Sequence, residues 1–260
     1  MKELFHSFLY QPIYNALVFL VDILPGGDVG LAIIILTLLV KFALFPLTHK
    51  STKAQHKMRE IEPKMREIKE RHKDNREKQA RAIMDLYREH GVNPFSGLFL
   101  LFIQLPIIFA LYYVFWKGLG FDPNIIYSFL SAPDPASVNF NFLGFIDLKE
   151  KSAILAFLAA ATQYFQIKLS LPALPKKDSA QENQDRKKKE NQEKKTPPSF
   201  QEEFAKNMST QMRYIFPAMV FFISFTISSA IALYWAVSNI FTIAHEMWVK
   251  RKAGKIYHAQ

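Results

Sequence analysis

A lysine inside the first long apolar stretch of the chain places a positive charge where none is expected. Lys41 interrupts the run from Leu31 to Leu47, about ten residues after its start, or roughly 15 Å along a helix. A charge at the centre of a bilayer costs on the order of 3 kcal/mol. Either the side chain reaches the polar edge of the membrane, or it faces a hydrated cavity within a bundle of helices. In the second case the ammonium attracts anionic groups that pass through the cavity.

Other polar side chains within the apolar stretches could line such a cavity. No acidic residue accompanies them to neutralise Lys41, apart from Glu246 near the end of the last stretch. An alternative role is open for Gln104 and Asn239, because buried amides commonly form hydrogen bonds between helices. The candidate lining residues are Thr37, Gln104, Gln163, Gln166, Ser238 and Asn239.

The residues of the usual catalytic and cofactor sites are missing from the sequence. Cysteine is absent, which excludes disulfides and thiolate metal sites. No Walker A or dinucleotide-binding glycine pattern occurs. His245 and Glu246 begin like a zinc-binding H-E-x-x-H motif, but position 249 is Val. The sequence therefore predicts a protein that is not an enzyme and has no cofactor or metal.

Charged and apolar residues are segregated along the chain, and this pattern indicates the class of protein. Half of the 260 residues are hydrophobic, 22% are charged, and the net charge is +10. The apolar blocks are about as long as a bilayer is thick, and basic blocks lie between them. This arrangement disfavours a soluble enzyme and predicts a membrane protein with several spans.

The lengths of the apolar blocks predict five spans. Gly97 to Trp116 is uncharged over 20 residues, which is roughly 30 Å of helix and one hydrocarbon thickness. Tyr214 to Ala244 is uncharged over 31 residues, and a single helix of roughly 46 Å would be too long. The cluster Thr226, Ser228 and Ser229 therefore predicts a hairpin of two short helices.

The first 24 residues have a different apolar pattern. Their apolar positions follow a helical spacing but are too broken to predict a span, so we expect an amphipathic helix at the membrane interface. A signal peptide is the competing interpretation. It would require a basic start and a small-residue cleavage site, whereas the segment has only Lys2 and ends at Leu24-Pro25-Gly26-Gly27.

The distribution of Lys and Arg predicts the orientation. There are 13 from Thr48 to Val92, 10 from Pro172 to Arg213 and 4 after the last span. Only 1 precedes Leu31, and 3 lie from Lys117 to Lys151. The positive-inside rule then places the N-terminus outside the cell and the C-terminus in the cytoplasm, which requires an odd number of spans.

The first basic block has the pattern of a helical hairpin. Its two apolar stripes flank a turn at Lys73-Asp74-Asn75, and Pro63 should kink the first arm unless a helix restarts there. The hairpin is either simply solvated or a docking surface for anionic lipid, ribosomal RNA or a cytoplasmic protein. The stripes are Met58, Ile61, Met65 and Ile68 in one arm and Ala80, Ile83, Met84 and Tyr87 in the other.

The predicted fold is an all-α integral membrane protein. Residues 173–199 are Lys- and Gln-rich and are predicted to be disordered. The predicted segments are an interfacial amphipathic helix at 1–24, transmembrane helices at 29–49, 95–117, 152–172, 200–227 (including an amphipathic lead-in) and 229–249, an antiparallel cytoplasmic hairpin at 50–92, an extracytoplasmic loop at 118–151, the disordered loop at 173–199 and a basic tail at 250–260.

Several separated motifs resemble the conserved core of the YidC/Oxa/Alb family of membrane protein insertases. The likeness covers nearly the whole chain in the expected order of elements, and it resembles the short form without a large periplasmic domain. Lys41 stands where most members have Arg, and Ser228 and Ala230 replace a common Pro and Gly. The matching motifs are Leu31 to Lys41 (LAIIILTLLVK), Phe45-Pro46-Leu47, Val92-Asn93-Pro94, Gln104 to Tyr113 (QLPIIFALYY) and Leu233 to Asn239 (LYWAVSN).

The resemblance implies a function for these positions. Family members carry a cation in the first core span that faces a hydrophilic groove open to the cytoplasm and to lipid. Thr37, Gln166 and Trp235 fall at positions like other groove or substrate-contact residues, and Tyr234 lies beside them in the last motif. Lys keeps the charge but lacks the planar fork of Arg. Lys41 would attract acidic residues of a substrate's polar tail, and no ATP would be needed.

The implied partners are nascent membrane proteins and the lipid bilayer, in the bacterial cell membrane. Ribosomes, targeting factors and a translocation channel stay open as further partners, and no dedicated nucleic-acid site is predicted. Two other functions are possible: a small transporter or channel, for which no internal repeat is found, and an assembly scaffold without insertase activity.

Overall fold

The computed structural model describes residues 2–93, 96–116, 122, 124–170 and 200–257. The chain is helical from its start: helix α1 (Lys2–Phe5) and helix α2 (Gln11–Ile23) are joined by one π-helical turn at His6–Tyr10. One side of α2 is buried in the protein. The predicted disordered loop 173–199 lies outside the described residues.

The first predicted span is broken by a sharp bend. Asp28 caps the start of helix α3 (Val29–Ala43), because its carboxylate accepts a hydrogen bond from the Leu31 backbone N–H at 2.9 Å. It ends at Ala43, and helix α4 (Phe45–Glu60) continues at an angle of 67°. A single helix over 29–49 was therefore wrong. Pro46 explains the break, because proline has no N–H for the preceding turn and is favoured at the start of a helix.

The basic block after the bend forms two antiparallel helices. Helix α5 (Glu62–Arg71) restarts just before Pro63, and helix α6 (Arg76–Glu89) follows a short turn. The Asn75 side chain caps α6 by accepting a hydrogen bond from the Lys78 N–H. The pairing is antiparallel, because Gln79 bonds the Lys69 carbonyl while the Tyr87 hydroxyl bonds the Met65 sulfur. Their interface is a small apolar cluster of Ile61, Leu86 and Val92, with Met58, Met65, Ile68 and Tyr87 packed against it.

The remaining helices form the body of the protein. They are α7 (Ser96–Trp116), α8 (Ala153–Ser170), α9 (Phe200–Thr226) and α10 (Ser229–Tyr257). The last apolar block is thus two helices that meet at residues 227–228, where the polar cluster predicts the break. Helix α10 continues beyond 249, the predicted end of the last span. It packs against α8 and α3, and α9 packs against α8.

The segment between α7 and α8 is tied to the starts of two core helices, α3 and α10. Strands β1 (Asn141–Phe142) and β2 (Ile146–Asp147) form a short antiparallel hairpin. Before it, the Asn139 backbone bonds both Gly27 and Val29 at 3.0 Å. After it, the Leu148 and Glu150 carbonyls accept bonds from the first backbone N–H groups of α10. The otherwise unpaired N–H groups of that helix are thereby satisfied.

The apolar length of the described helices only partly determines how many spans there are. By length and composition, Glu3–Ile23 can cross a membrane, and so can the bent pair of α3 and α4; Gln104–Phe115 of α7 is apolar but shorter. The N-terminal segment is thus more apolar than its broken pattern indicated, and its interfacial placement stays a prediction. Five spans stay a prediction as well.

Candidate functional site

The Lys41 side chain turns inward, toward α7 and α10. Its Nζ lies 3.4 Å from Gln104 Oε1 and 3.4 Å from Thr242 Oγ1. The Gln104 amide nitrogen in turn donates to the Tyr234 hydroxyl at 2.5 Å. Three helices therefore contribute to one polar group, which we call the Lys41 cluster. It consists of Lys41, Gln104, Tyr234, Ser238 and Thr242.

The spacing of residues on α10 explains how this cluster forms. Tyr234, Ser238 and Thr242 are four residues apart, so they lie in one stripe along the helix. The Thr242 hydroxyl also donates to the Ser238 carbonyl at 2.9 Å, which fixes the direction in which its oxygen is offered to Lys41. The cluster lies one turn before the bend at Leu44, where α3 ends.

A second polar group joins α8 to α10 on an adjacent face. The Trp235 indole N–H donates to Gln163 Oε1 at 2.9 Å, and the Gln163 amide donates to Gln166 at 2.9 Å. Gln166 donates to Ser170 Oγ at 2.9 Å, and Ser170 donates to Glu246 through a short hydrogen bond. Every donor points the same way, toward the carboxylate, so each bond polarises the next. We call this series the α8–α10 chain.

Two of the candidate residues have satisfied their hydrogen bonds elsewhere. Thr37 is buried, and its hydroxyl donates to the Ile33 carbonyl of its own helix at 2.6 Å. Asn239 donates across the helix interface to Thr162 Oγ1 at 3.3 Å and to the Ala159 carbonyl at 3.4 Å. The sequence left open that Asn239 and Gln104 form hydrogen bonds between helices. Asn239 does so, and Gln104 does so through its bond to Tyr234.

The carboxylate expected nearest to Lys41 is directed elsewhere. Glu246 is buried and belongs to the α8–α10 chain. Its charge acts on Arg59 of α4: burial lowers the pKa of Arg59, and the carboxylates of Glu246 and Glu62 oppose that shift. In the part of the chain that the structure describes, the ion pairs within 4.0 Å all lie in α5 and α6. The contacts of Lys41 given above are with neutral oxygens.

A contact between α4 and α10 lies on the other side of the bend. His49 Nδ1 is 3.0 Å from His245 Nε2, and the two rings pack with Phe45 and Trp248. These aromatic contacts hold the first turns of α4 against α10. Within the described residues, no group of three or more His, Asp or Glu side chains is placed to hold a metal ion.

Sequence reasoning placed the candidate residues in the lining of a single cavity, whereas the structure arranges most of them in two separate polar groups. Lys41, Gln104, Tyr234 and Ser238 meet in one cluster, Gln163, Gln166 and Trp235 belong to the other group, and Thr37 joins neither. Thr242 and Ser170 were missed. The repeat of polar residues at 234, 238 and 242 was a signal for Thr242, and the spacing of Gln163, Gln166 and Ser170, three and four residues apart, was a signal for Ser170.

Comparison with known proteins shows what the chain is similar to. The family described as 60Kd inner membrane protein matches residues 21–255. A protein of Fusobacterium nucleatum named membrane protein insertase YidC is 29% identical over 249 residues, covering 95% of this chain and 98% of its own. A protein of the same name from Clostridium acetobutylicum is 31% identical over 239 residues, covering 87% of this chain and 76% of its own.

Longer relatives match over only part of their length. The protein of Pelobacter propionicus named membrane protein insertase YidC is 31% identical over 229 residues, which cover 86% of this chain but 35% of that protein. The chain therefore spans about a third of that relative. Taken with the family match over most of the chain, these relatives show that the protein is a member of the YidC/Oxa/Alb family of membrane protein insertases.

Proposed function

We propose that the protein inserts nascent membrane proteins into the bilayer by moving their short polar tails past the Lys41 cluster. The insertase names of the relatives support this proposal. The observation that carries it is the environment of Lys41, a partly buried ammonium held by two neutral oxygens at 3.4 Å. Such a cation can exchange weak neutral contacts for a carboxylate of a client protein.

The advantage for the client is electrostatic. An acidic tail that enters the hydrocarbon alone loses its hydration, a cost of several kcal/mol per charge. Two charges that approach to about 4 Å at an effective dielectric constant of 20 attract by roughly 4 kcal/mol. A fixed ammonium at membrane depth therefore offsets part of that cost along the path of the tail.

The energy for the complete step comes from the client. Once its tail has crossed, its apolar span enters lipid and gains the free energy of burying hydrocarbon. The membrane potential further favours the outward movement of an acidic tail. No nucleotide hydrolysis is needed in this scheme. Exposed apolar residues of α8, such as Phe157 and Phe165, supply a surface along which that span can leave.

The test is insertion into vesicles that contain only the purified protein, without nucleotide. The client is a single-span protein with an acidic outer tail. Replacing Lys41 with Gln should lower its insertion about tenfold or more, because the charge attraction is lost, and Lys41→Arg should preserve most of it. Lys168→Gln, which removes an exposed lysine of α8, is the matched control and should have no effect.

A second client separates the charge mechanism from simple damage to the protein. When the acidic residues of its tail are replaced by Asn and Gln, insertion should no longer depend on the charge at position 41. If Lys41→Gln reduces the insertion of both clients equally, the charge is not the working part of the site. Leakage of ions through the protein-containing vesicles would instead favour a channel.

A further inference from the structure

The turn between β1 and β2 exposes two large apolar side chains. Leu143 is 67% exposed and Phe145 is 70% exposed, on either side of Gly144. Leu143 has a φ of +54°, and it is the one non-glycine residue with a positive φ in the described part of the chain. Leu143, Gly144 and Phe145 form what we call the hairpin tip. An apolar residue kept in a left-handed turn and exposed is unfavourable in water.

The strands behind the tip are firmly attached to the bundle. Ile146 and Leu148 are buried in the core. The Phe142 ring lies directly against Gly30 of α3, so closely that a Cβ at position 30 would lie 2.2 Å from it. The exposure of the tip is thus a fixed feature of a well-packed hairpin.

The two attachment points lie at the same end of the bundle. Phe142 contacts the second residue of α3, and the Leu148 carbonyl accepts a hydrogen bond from Ala230, the second residue of α10. Helices α3 and α10 run parallel, because Lys41 and Thr242, at similar distances from the two helix starts, are in contact. The base of the hairpin is therefore attached to the first turns of both helices, at one end of the bundle.

The tip is exposed and lies close to the first turn of α3. It lies within about 10 Å of the Phe142 anchor, because Phe145, its farthest residue, is three residues away along the chain. Leu31, the residue after Gly30, is 43% exposed on the outer side of α3. In a membrane protein of this family, such a surface at the first turn of a helix borders lipid. The headgroup layer is about 5–8 Å thick on each side of the hydrocarbon, which is comparable to the reach of the tip.

We propose that the hairpin tip inserts into the lipid bilayer at the end of the bundle where α3 and α10 begin, with Leu143 and Phe145 as its anchors. Insertion removes both side chains from water, which favours the bound state. Lys149 and Lys151 follow the hairpin, and Lys149 lies 3.8 Å above the Phe140 ring. Their charges suit the phosphates of anionic lipids. The tip would hold the outer end of α3 at a fixed depth.

The absence of cysteine makes a direct test simple, since each introduced thiol is unique. Leu143→Cys and Phe145→Cys are labelled with a nitroxide in nanodiscs of phosphatidylethanolamine and phosphatidylglycerol, which leave both membrane faces open. Ala136→Cys, at an exposed position of the same segment, is the control. At both tip positions, collisions with oxygen should be favoured and collisions with a water-soluble nickel chelate reduced about tenfold relative to position 136, as for groups buried in the interface.

Equal access of the nickel chelate at positions 136, 143 and 145 would overturn the proposal, because the tip would then be in water. Protection from both oxygen and nickel would also overturn it, because the tip would then be packed against protein. Neither result depends on insertase activity, so a failure here leaves the proposed function standing.

Discussion

At the level of single residues, the chemistry of the site depends on which partners are charged. The described contacts of Lys41 are with Gln104 and Thr242, which are neutral, and the nearby carboxylate of Glu246 is held by Ser170. A charged partner would have made the ammonium a structural ion pair. Neutral contacts at 3.4 Å are long for hydrogen bonds and therefore weak. They position the side chain but do not neutralise its charge.

The bond between Gln104 and Tyr234 should contribute measurably to stability. Tyr234 is buried, and its hydroxyl accepts the Gln104 N–H at 2.5 Å. Tyr234→Phe leaves that donor without its partner and should cost about 1–3 kcal/mol. The decrease in melting temperature in detergent measures the effect.

A double substitution tests whether this loss comes from the unpaired donor. Gln104→Leu combined with Tyr234→Phe removes both polar groups, so the pair should cost less than the sum of the two single changes. Strictly additive losses would mean that the two side chains are not coupled.

His56 on α4 should make the protein less stable in acid. Burial lowers its pKa, and the positive charges of Arg59 and Lys250 lower it further. The folded state therefore resists a proton that the unfolded state takes up near pH 6.5. Because the unfolded state binds more protons, stability falls as pH decreases through that value toward the lowered pKa.

Replacing His56 with Gln should remove this contribution. Melting temperatures measured between about pH 7.5 and 5 should decrease less in the variant than in the parent protein. An identical decrease in both proteins would show that His56 carries no pH-dependent stability.

The sequence predicted the residue types of the site better than their grouping. Lys41 and Gln104 were identifiable because a charge and an amide are unusual in apolar stretches. Whether a given residue of α10 faces α3 or α8 depends on the rotation of that helix, which is set by packing that a single sequence does not display. Trp235 and Tyr234, neighbours in the chain, consequently belong to different polar groups.

At the level of elements, breaks in helices are set by backbone chemistry. The end of α9 and the start of α10 could be predicted, because a cluster of small hydroxyl residues interrupts a block too long for one span. The bend at Leu44 was missed. Its neighbours are apolar, so hydropathy gives no signal there, and only Pro46 marks the point where a new helix starts.

Two adjacent glycines provide a matched test of how α2 joins α3. Gly26 and Gly27 both have positive φ values, +68° and +58°. A Cβ at position 26 meets nothing within 4 Å, whereas one at position 27 would lie 2.2 Å from the Ser137 carbonyl oxygen. That oxygen belongs to backbone and cannot rotate away as the end of a side chain could.

Gly26→Ala should therefore cost only the left-handed backbone strain, about 1–2 kcal/mol. Gly27→Ala should cost at least about 1 kcal/mol more, since the loop that carries Asn139 must move. Melting temperatures of the two variants make the comparison. Equal losses would mean that the contact with Ser137 does not hold the loop against the bundle.

At the level of the whole molecule, the β-hairpin, the Lys41 cluster and the bend follow one another along helices α3 and α10. Helices α3 and α10 start together beneath the β-hairpin, and the Lys41 cluster lies farther along both helices. The bend, the His49–His245 contact and the basic helices α5 and α6 follow at the other end. Under the proposed function, a client tail that enters from the basic end would meet Lys41 before it reaches the hairpin.

This order makes sense only if the basic end is cytoplasmic, as the excess of Lys and Arg predicts. Two single-cysteine variants test that orientation in spheroplasts, whose plasma membrane is accessible from outside. They are Lys73→Cys in the turn between α5 and α6 and Ala136→Cys before β1, both at exposed positions. A membrane-impermeant thiol reagent should label position 136 at once and position 73 only after the membrane is permeabilised. Labelling of position 73 in sealed cells would invert the proposed path. The cation would then be approached by clients from the hairpin side, and an acidic tail would have to leave against the membrane potential.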